Sequence, residues 1–206
     1  MSNDQPAAPH PTPQIRADRV YLRPAERADV ETFVRWFADA DVARHLRVRA
    51  PFSQAAEEKW FDQMLEKQGK SDYLFVICLV EDGRAIGTAG LHQLDLENGS
   101  AEFGISIGEK AEWSKGYGTE TLEAICDFGF GQLRLERIYL EVYAPNNAGQ
   151  RAYQKAGFVV EGTLRSAHFA EGQHQDALIM SLLRQEWLAL PRRKSWERAA
   201  GAISVS

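Results

Sequence analysis

Cysteine is scarce in this 206-residue chain: Cys78 and Cys126 are all there is. Both sit in apolar stretches, so they read as reduced core residues of a cytoplasmic protein rather than as a disulfide pair. Long apolar runs are missing as well. Nothing approaches the ~18 residues that a membrane-spanning helix needs. Residues 1–13 carry four prolines and no apolar stretch, which predicts a floppy tail rather than a signal peptide. An excess of positive charge is also lacking. The 24 Lys and Arg against 29 Asp and Glu leave a net charge of −5, which argues against a general nucleic-acid binder. His168 and His174 lack the spacing and partners of a metal site, so no metal is expected. There is no internal repeat and no mid-chain linker. The composition, 44% hydrophobic and 26% charged, is that of an ordinary globular domain, and the length suits one domain rather than two.

What is present centres on Trp113-Ser114-Lys115-Gly116-Tyr117-Gly118-Thr119-Glu120. Upstream, residues 101–107 alternate small or polar with apolar side chains, as a strand does. Downstream, Leu122, Ile125, Cys126, Gly129 and Leu133 recur at helical spacing. A strand, a glycine loop and a helix start aim unpaired backbone N–H groups and the positive end of a helix dipole at one spot. Gly116 and Gly118 let the backbone close around a phosphate. The stretch is neither a P-loop nor a complete dinucleotide fingerprint, because Thr121 stands where the latter needs its third glycine.

The rest of the chain can be ordered around that loop. Residues 20–23 predict a strand and residues 29–37 a helix with Val30, Phe33, Val34 and Phe37 on one face. Ser53 caps a second helix running to about Gln68. Residues 73–81 and 85–94 predict strands joined at Asp82-Gly83, and Asn98-Gly99 turns the next hairpin. After the phosphate loop come a helix, a strand (residues 137–142), a helix from about Ala148, and two strands joined around Glu171-Gly172. The expected fold is a single α/β (α+β) domain with a mixed, mostly antiparallel sheet and helices on both faces. It should span residues 15–188, with tails at 1–14 and 189–206.

A second motif follows the strand at 137–142: Asn146, then Tyr153, Lys155, Gly157 and Phe158. With the loop 113–118 it resembles, in order and separation, the paired motifs of the GNAT superfamily of N-acetyltransferases. The opening Arg19-Val20-Tyr21-Leu22-Arg23-Pro24 and the segment 158–165 resemble the branch holding ribosomal-protein N-terminal (RimJ/RimL-like) and spermidine acetyltransferases. Two positions depart from the pattern. Trp113 stands where the family has Gln or Arg, and Gly149 stands where relatives often carry Ser.

The resemblance implies acetyl-CoA as co-substrate and direct attack of an amine on the thioester in a ternary complex. It implies that Lys115, Gly116, Tyr117, Gly118 and Thr119 hold the pyrophosphate, with Lys115 able to replace the missing polar contact. Ile105, Ser106 and Ile107 would pair with pantetheine and offer an N–H to the thioester oxygen. Tyr153 would be the general acid to the leaving thiolate. Its phenol (pKa about 10) remains protonated near neutrality. Asn146 would bond the pantetheine arm, cap the next helix, or do both. Glu102, acting through a water, and His168 are alternative bases. Neither cysteine lies near a candidate base, so no acyl-cysteine route is expected. The acceptor is expected to be a protein N-terminal amine, alternatively a small amine such as a polyamine. A catalytically idle acyl-CoA-binding domain is a third possibility. Trp36, His45, Leu46, Phe52 and the His168 hairpin would line its entrance, with Asp39, Asp41, Glu57 and Glu58 available to a polyamine. A monomer and a homodimer are equally compatible with the sequence.

Overall fold

The computed structural model describes residues 15–44, 46 and 53–197. His45, Phe52 and the tail at 1–14 therefore lie outside the described residues. The elements are β1 (Ile15–Arg16), β2 (Val20–Pro24), α1 (Val30–Phe37), α2 (Ala40–Ala43), α3 (Gln54–Lys67), β3 (Tyr73–Leu79), β4 (Ala85–Asp95), β5 (Ser100–Ile107), α4 (Tyr117–Gly131), β6 (Arg137–Tyr143), α5 (Asn147–Lys155), β7 (Val159–Ala170), β8 (Gln173–Leu183) and α6 (Arg184–Ala189). One sheet of eight strands runs in the order β1-β2-β3-β4-β5-β6-β8-β7. Every neighbouring pair is antiparallel except β5 with β6, as the alternation of hairpins and crossovers predicts.

Strand β3 explains how the layers form. Its six residues from Leu74 to Leu79 are all buried, because both faces of the sheet are covered there. Phe75, Ile77 and Leu79 point into one core with Leu122, Ile125 and Phe130 of α4. Leu74, Val76 and Cys78 point into a second core with Phe33 of α1 and Phe61 of α3. Ser53 caps α3 by accepting the Ala56 amide at 3.2 Å. The turn at Asn98-Gly99 forms because Gly99 can take φ 65°.

Three features lie beyond the sequence pattern. Strand β1 and helix α2 are too short for a periodicity to announce them. Helix α4 starts at Tyr117, two residues earlier than its apolar stripe, and Leu133 packs on the core from beyond its end. The chain also stays packed past residue 188. Asp127 of α4, fully buried, accepts from Trp187 Nε1 at 2.8 Å, from Arg192 at 2.7 Å and from the Ser195 amide at 2.7 Å.

Candidate active site

Strands β5 and β6 set the geometry. They pair only over three residues, Ser100–Arg137 to Glu102–Tyr139. Beyond Glu102 the strands part, so residues 103–107 keep β4 on one side and face an open cleft on the other. The glycine loop and the start of α4 sit at the end of this cleft. Gly116 adopts φ 87°, which a side chain resists, and caps α4 with its backbone. The first helical hydrogen bond runs from Glu120 N to Gly116 O at 3.1 Å. The amides of Tyr117, Gly118 and Thr119 thus have no intrahelical acceptor and point out of the helix end. A Cβ on Gly118 would lie 3.9 Å from Ile105, so the loop rests against the cleft strand.

The loop is tied down by groups far away in sequence. Trp113 donates its indole N–H to Ile107 O at 2.8 Å. Arg19 donates to Lys115 O at 3.0 Å and to Glu120 Oε2 at 2.8 Å, and its guanidinium covers the Tyr117 ring at 4.8 Å. Glu120 also accepts the Arg19 amide at 2.6 Å. Lys115 is engaged by Glu112 at 2.9 Å, and Arg84 reaches the same carboxylate.

Tyr153 of α5 stands edge-on to Phe103, with centroids 6.3 Å apart, and is tilted on Phe158 at 6.3 Å. Burial pushes its phenol up to about 12. Asn146 caps α5 by accepting the Gly149 amide at 2.9 Å. A Cβ at position 149 would come within 2.8 Å of the Asn146 amide, so Gly149 is what leaves room for this cap.

On the opposite face of β4 and β5, under α1 and α3, lies a cavity of about 240 Å³. Its floor includes Gly90 and Gly104, which face each other in register and carry no side chains. Phe33, Phe37 and Trp60 wall it, while Ile105 and Ser106 belong both to this cavity and to the cleft strand. Glu57 lines it too. Its carboxyl is buried with no hydrogen-bonding or ionic partner among the described residues, and that burial raises its pKa above the usual carboxylate range.

The profile of the GNAT acetyltransferase domain matches residues 19–159. The chain belongs to the GNAT acetyltransferases. It is 31% identical to the uncharacterized N-acetyltransferase p20 of Bacillus licheniformis over 176 residues, which cover 84% of this chain and 97% of that protein. It is 30% identical to spermidine N(1)-acetyltransferase of Escherichia coli K12 over 174 residues, 84% and 90% of the two chains. Among solved structures, the spermidine N-acetyltransferase of Vibrio cholerae in complex with CoA and spermine superposes with a TM-score of 0.77 at 25% identity, covering 82% of this chain and 98% of that one. The putative ribosomal N-acetyltransferase YdaF of Bacillus subtilis matches over 53% of this chain and 59% of its own length, at 32% identity.

In this GNAT enzyme the residues singled out from sequence fall into two groups. Ile105, Ser106, Gly116, Tyr117, Gly118, Thr119 and Tyr153 converge on the cleft and its strand. Glu102 and His168 do not line the cavity among its described residues. Glu102 accepts from Gln93 Nε2 at 2.7 Å, and His168 is stacked on Tyr143 with centroids 3.7 Å apart. Trp36 is a packing residue instead of a groove wall. It is buried over Gly108 and donates to Glu109 at 2.7 Å. Of the four acids, Asp39 and Asp41 hold Lys110 at the surface and Glu58 bonds Gln54, which leaves Glu57 in the cavity. Sequence reasoning missed Arg19, Glu120, His92 and the paired glycines, since each acts through a partner distant in sequence. Among the described residues no cluster could hold a metal ion, and no helix is long and apolar enough to cross a membrane.

Proposed function

We propose that this acetyl-CoA-dependent N-acetyltransferase acetylates a small primary amine bound in the cavity beneath α1 and α3. The observation carrying this is Glu57, a carboxylate with no partner among the described residues, in an apolar enclosure that abuts the thioester strand. Such a group costs free energy when ionised and recovers it when a cation arrives. An ammonium is the cation that the chemistry requires. Support comes from relatives named for spermidine over nearly their whole length, whereas the ribosomal relative matches over little more than half. The net charge of −5 also suits a cationic acceptor.

In this reading the amides of residues 117–119 hold the pyrophosphate and alternate amides of residues 105–107 hold pantetheine and the thioester oxygen. Tyr153 protonates the leaving sulfur. Thiol release from acetyl-CoA, measured across small amines and free-N-terminus peptides, tests the acceptor. Release with peptides alone rules it out, and silence with tight CoA binding favours an idle binding domain.

Glu57→Gln is expected to raise KM for the amine about ten-fold or more, the worth of a charge-assisted hydrogen bond, with KM for acetyl-CoA unchanged. The same variant should be more stable than the parent at neutral pH. A raised carboxyl pKa means that the folded protein binds its proton more tightly than the unfolded chain. Stability therefore falls as pH rises from the ordinary carboxylate range through the raised value. The Gln variant escapes this fall, so the two melting curves should converge in acid and separate above it.

A further inference from the structure

We propose that His92, oriented by Asp72, is the general base that deprotonates the acceptor amine. His92 lies on β4 at the junction of two cavities, the one of about 240 Å³ and a second of about 160 Å³. Its Nδ1 stands 3.2 Å from Asp72 Oδ1. A carboxylate can only accept there, so Nδ1 carries the proton and Nε2 presents its lone pair. The Nε2 edge faces Gly104. A Cβ at that position would meet Nε2 and Cδ2 at 3.3 Å, so the missing side chain is what brings the imidazole up to the thioester strand.

The backbone is shaped to give this aim. The β4–β5 register breaks just after His92, and Gln93 takes φ 52° although it is not glycine. Bulges of this kind re-aim side chains, and such strain gathers at functional sites. Asp72 Oδ1 also accepts the Gln93 amide at 3.2 Å, and Ser71 donates to Asp72 Oδ2 at 2.8 Å, so the carboxylate is fixed before it fixes the ring. Asp72, with Lys67 of α3, lines the second cavity, Glu102 stands opposite His92 in register, and Glu57 lines the first cavity. The imidazole side chain is 37% exposed, which gives a proton a route to solvent.

His92 Nε2 takes one proton from the ammonium and passes it to solvent. The freed nitrogen pair forms the C–N bond to the acetyl carbon. As the C–S bond breaks, the sulfur takes the Tyr153 hydroxyl proton, and the second proton lost by nitrogen restores the phenol. The products are the amide, the CoA thiol and one released proton.

This inference rests on the cavity being the amine site, but its test need not. The assay uses whichever amine, small or peptidic, the wild-type enzyme acetylates fastest. His92→Ala is expected to lower kcat by about 10²–10⁴-fold, the range for a lost acid or base. The KM for acetyl-CoA should not move, the acid limb of the kcat/KM profile should vanish, and added imidazole should restore part of the rate. Asp72→Asn, which no longer offers a carboxylate to hold Nδ1–H, should lower kcat while the KM for acetyl-CoA stays unchanged. Nitrogen NMR shifts of His92 in the resting protein should report the Nδ1–H tautomer. A His92→Ala enzyme within three-fold of wild type with its acid limb intact overturns the proposal. So does an Nε2–H tautomer that persists in both wild type and Asp72→Asn.

Discussion

Tyr153→Phe is expected to lower kcat by about 10²–10⁴-fold, the range for loss of a positioned general acid, while the melting temperature hardly changes. The phenol makes no hydrogen bond among the described residues, and its pKa rises through burial alone. Removing the oxygen therefore leaves no partner stranded, and the ring keeps its contacts with Phe103 and Phe158. A phenol pushed up to about 12 stays protonated throughout the working range. It can always give its proton, and it contributes no basic limb below that value. Steady-state kinetics beside thermal melts decide the matter. A kcat that survives the substitution would reduce Tyr153 to a packing residue of α5.

The second large effect concerns stability. Asp127→Ala is expected to cost about 3–5 kcal/mol, the penalty for stranding a buried charged partner, which is roughly 6–20 °C in Tm for a chain of this size. One carboxylate holds the Trp187 indole, the Arg192 guanidinium and the Ser195 amide. Phe130 stacks on Trp187 at 5.3 Å beside this knot, so the apolar contact loosens with the polar one. Differential scanning calorimetry of the full chain measures the loss. A shift below about 2 °C would mean that residues 190–197 add little to the folded state.

The geometry of the glycine loop was legible in the sequence because its parts act through backbone. A glycine pair before a helix, preceded by an alternating strand, states its geometry locally, and Gly116 at φ 87° bears that out. The cavity beneath α1 and α3 was not legible. Nothing near Glu57 reveals that its neighbours in space are aromatic rings and glycines, rather than the Gln54 that occupies Glu58. Asp127 illustrates the same limit. On an apolar stripe it reads as an intruder until the C-terminal segment arrives to bond it. Trp36 misled for the opposite reason: an aromatic near the end of a helix looks like a groove wall, but the absence of a side chain at Gly108 lets the indole bury itself.

Strands β5 and β6 share a junction of only three residues. The eight-stranded sheet is two smaller sheets sharing a short seam, and beyond Glu102 the facing edges of β5 and β6 do not pair with each other. A bound pantetheine arm would serve there as a surrogate strand. The alternate amides of residues 103–107 that face the cleft should then exchange with deuterium far more slowly once CoA is present, while those turned toward β4 keep their protection throughout. Binding the cofactor would thus complete the sheet, making the donor substrate a part of the fold that receives the acceptor.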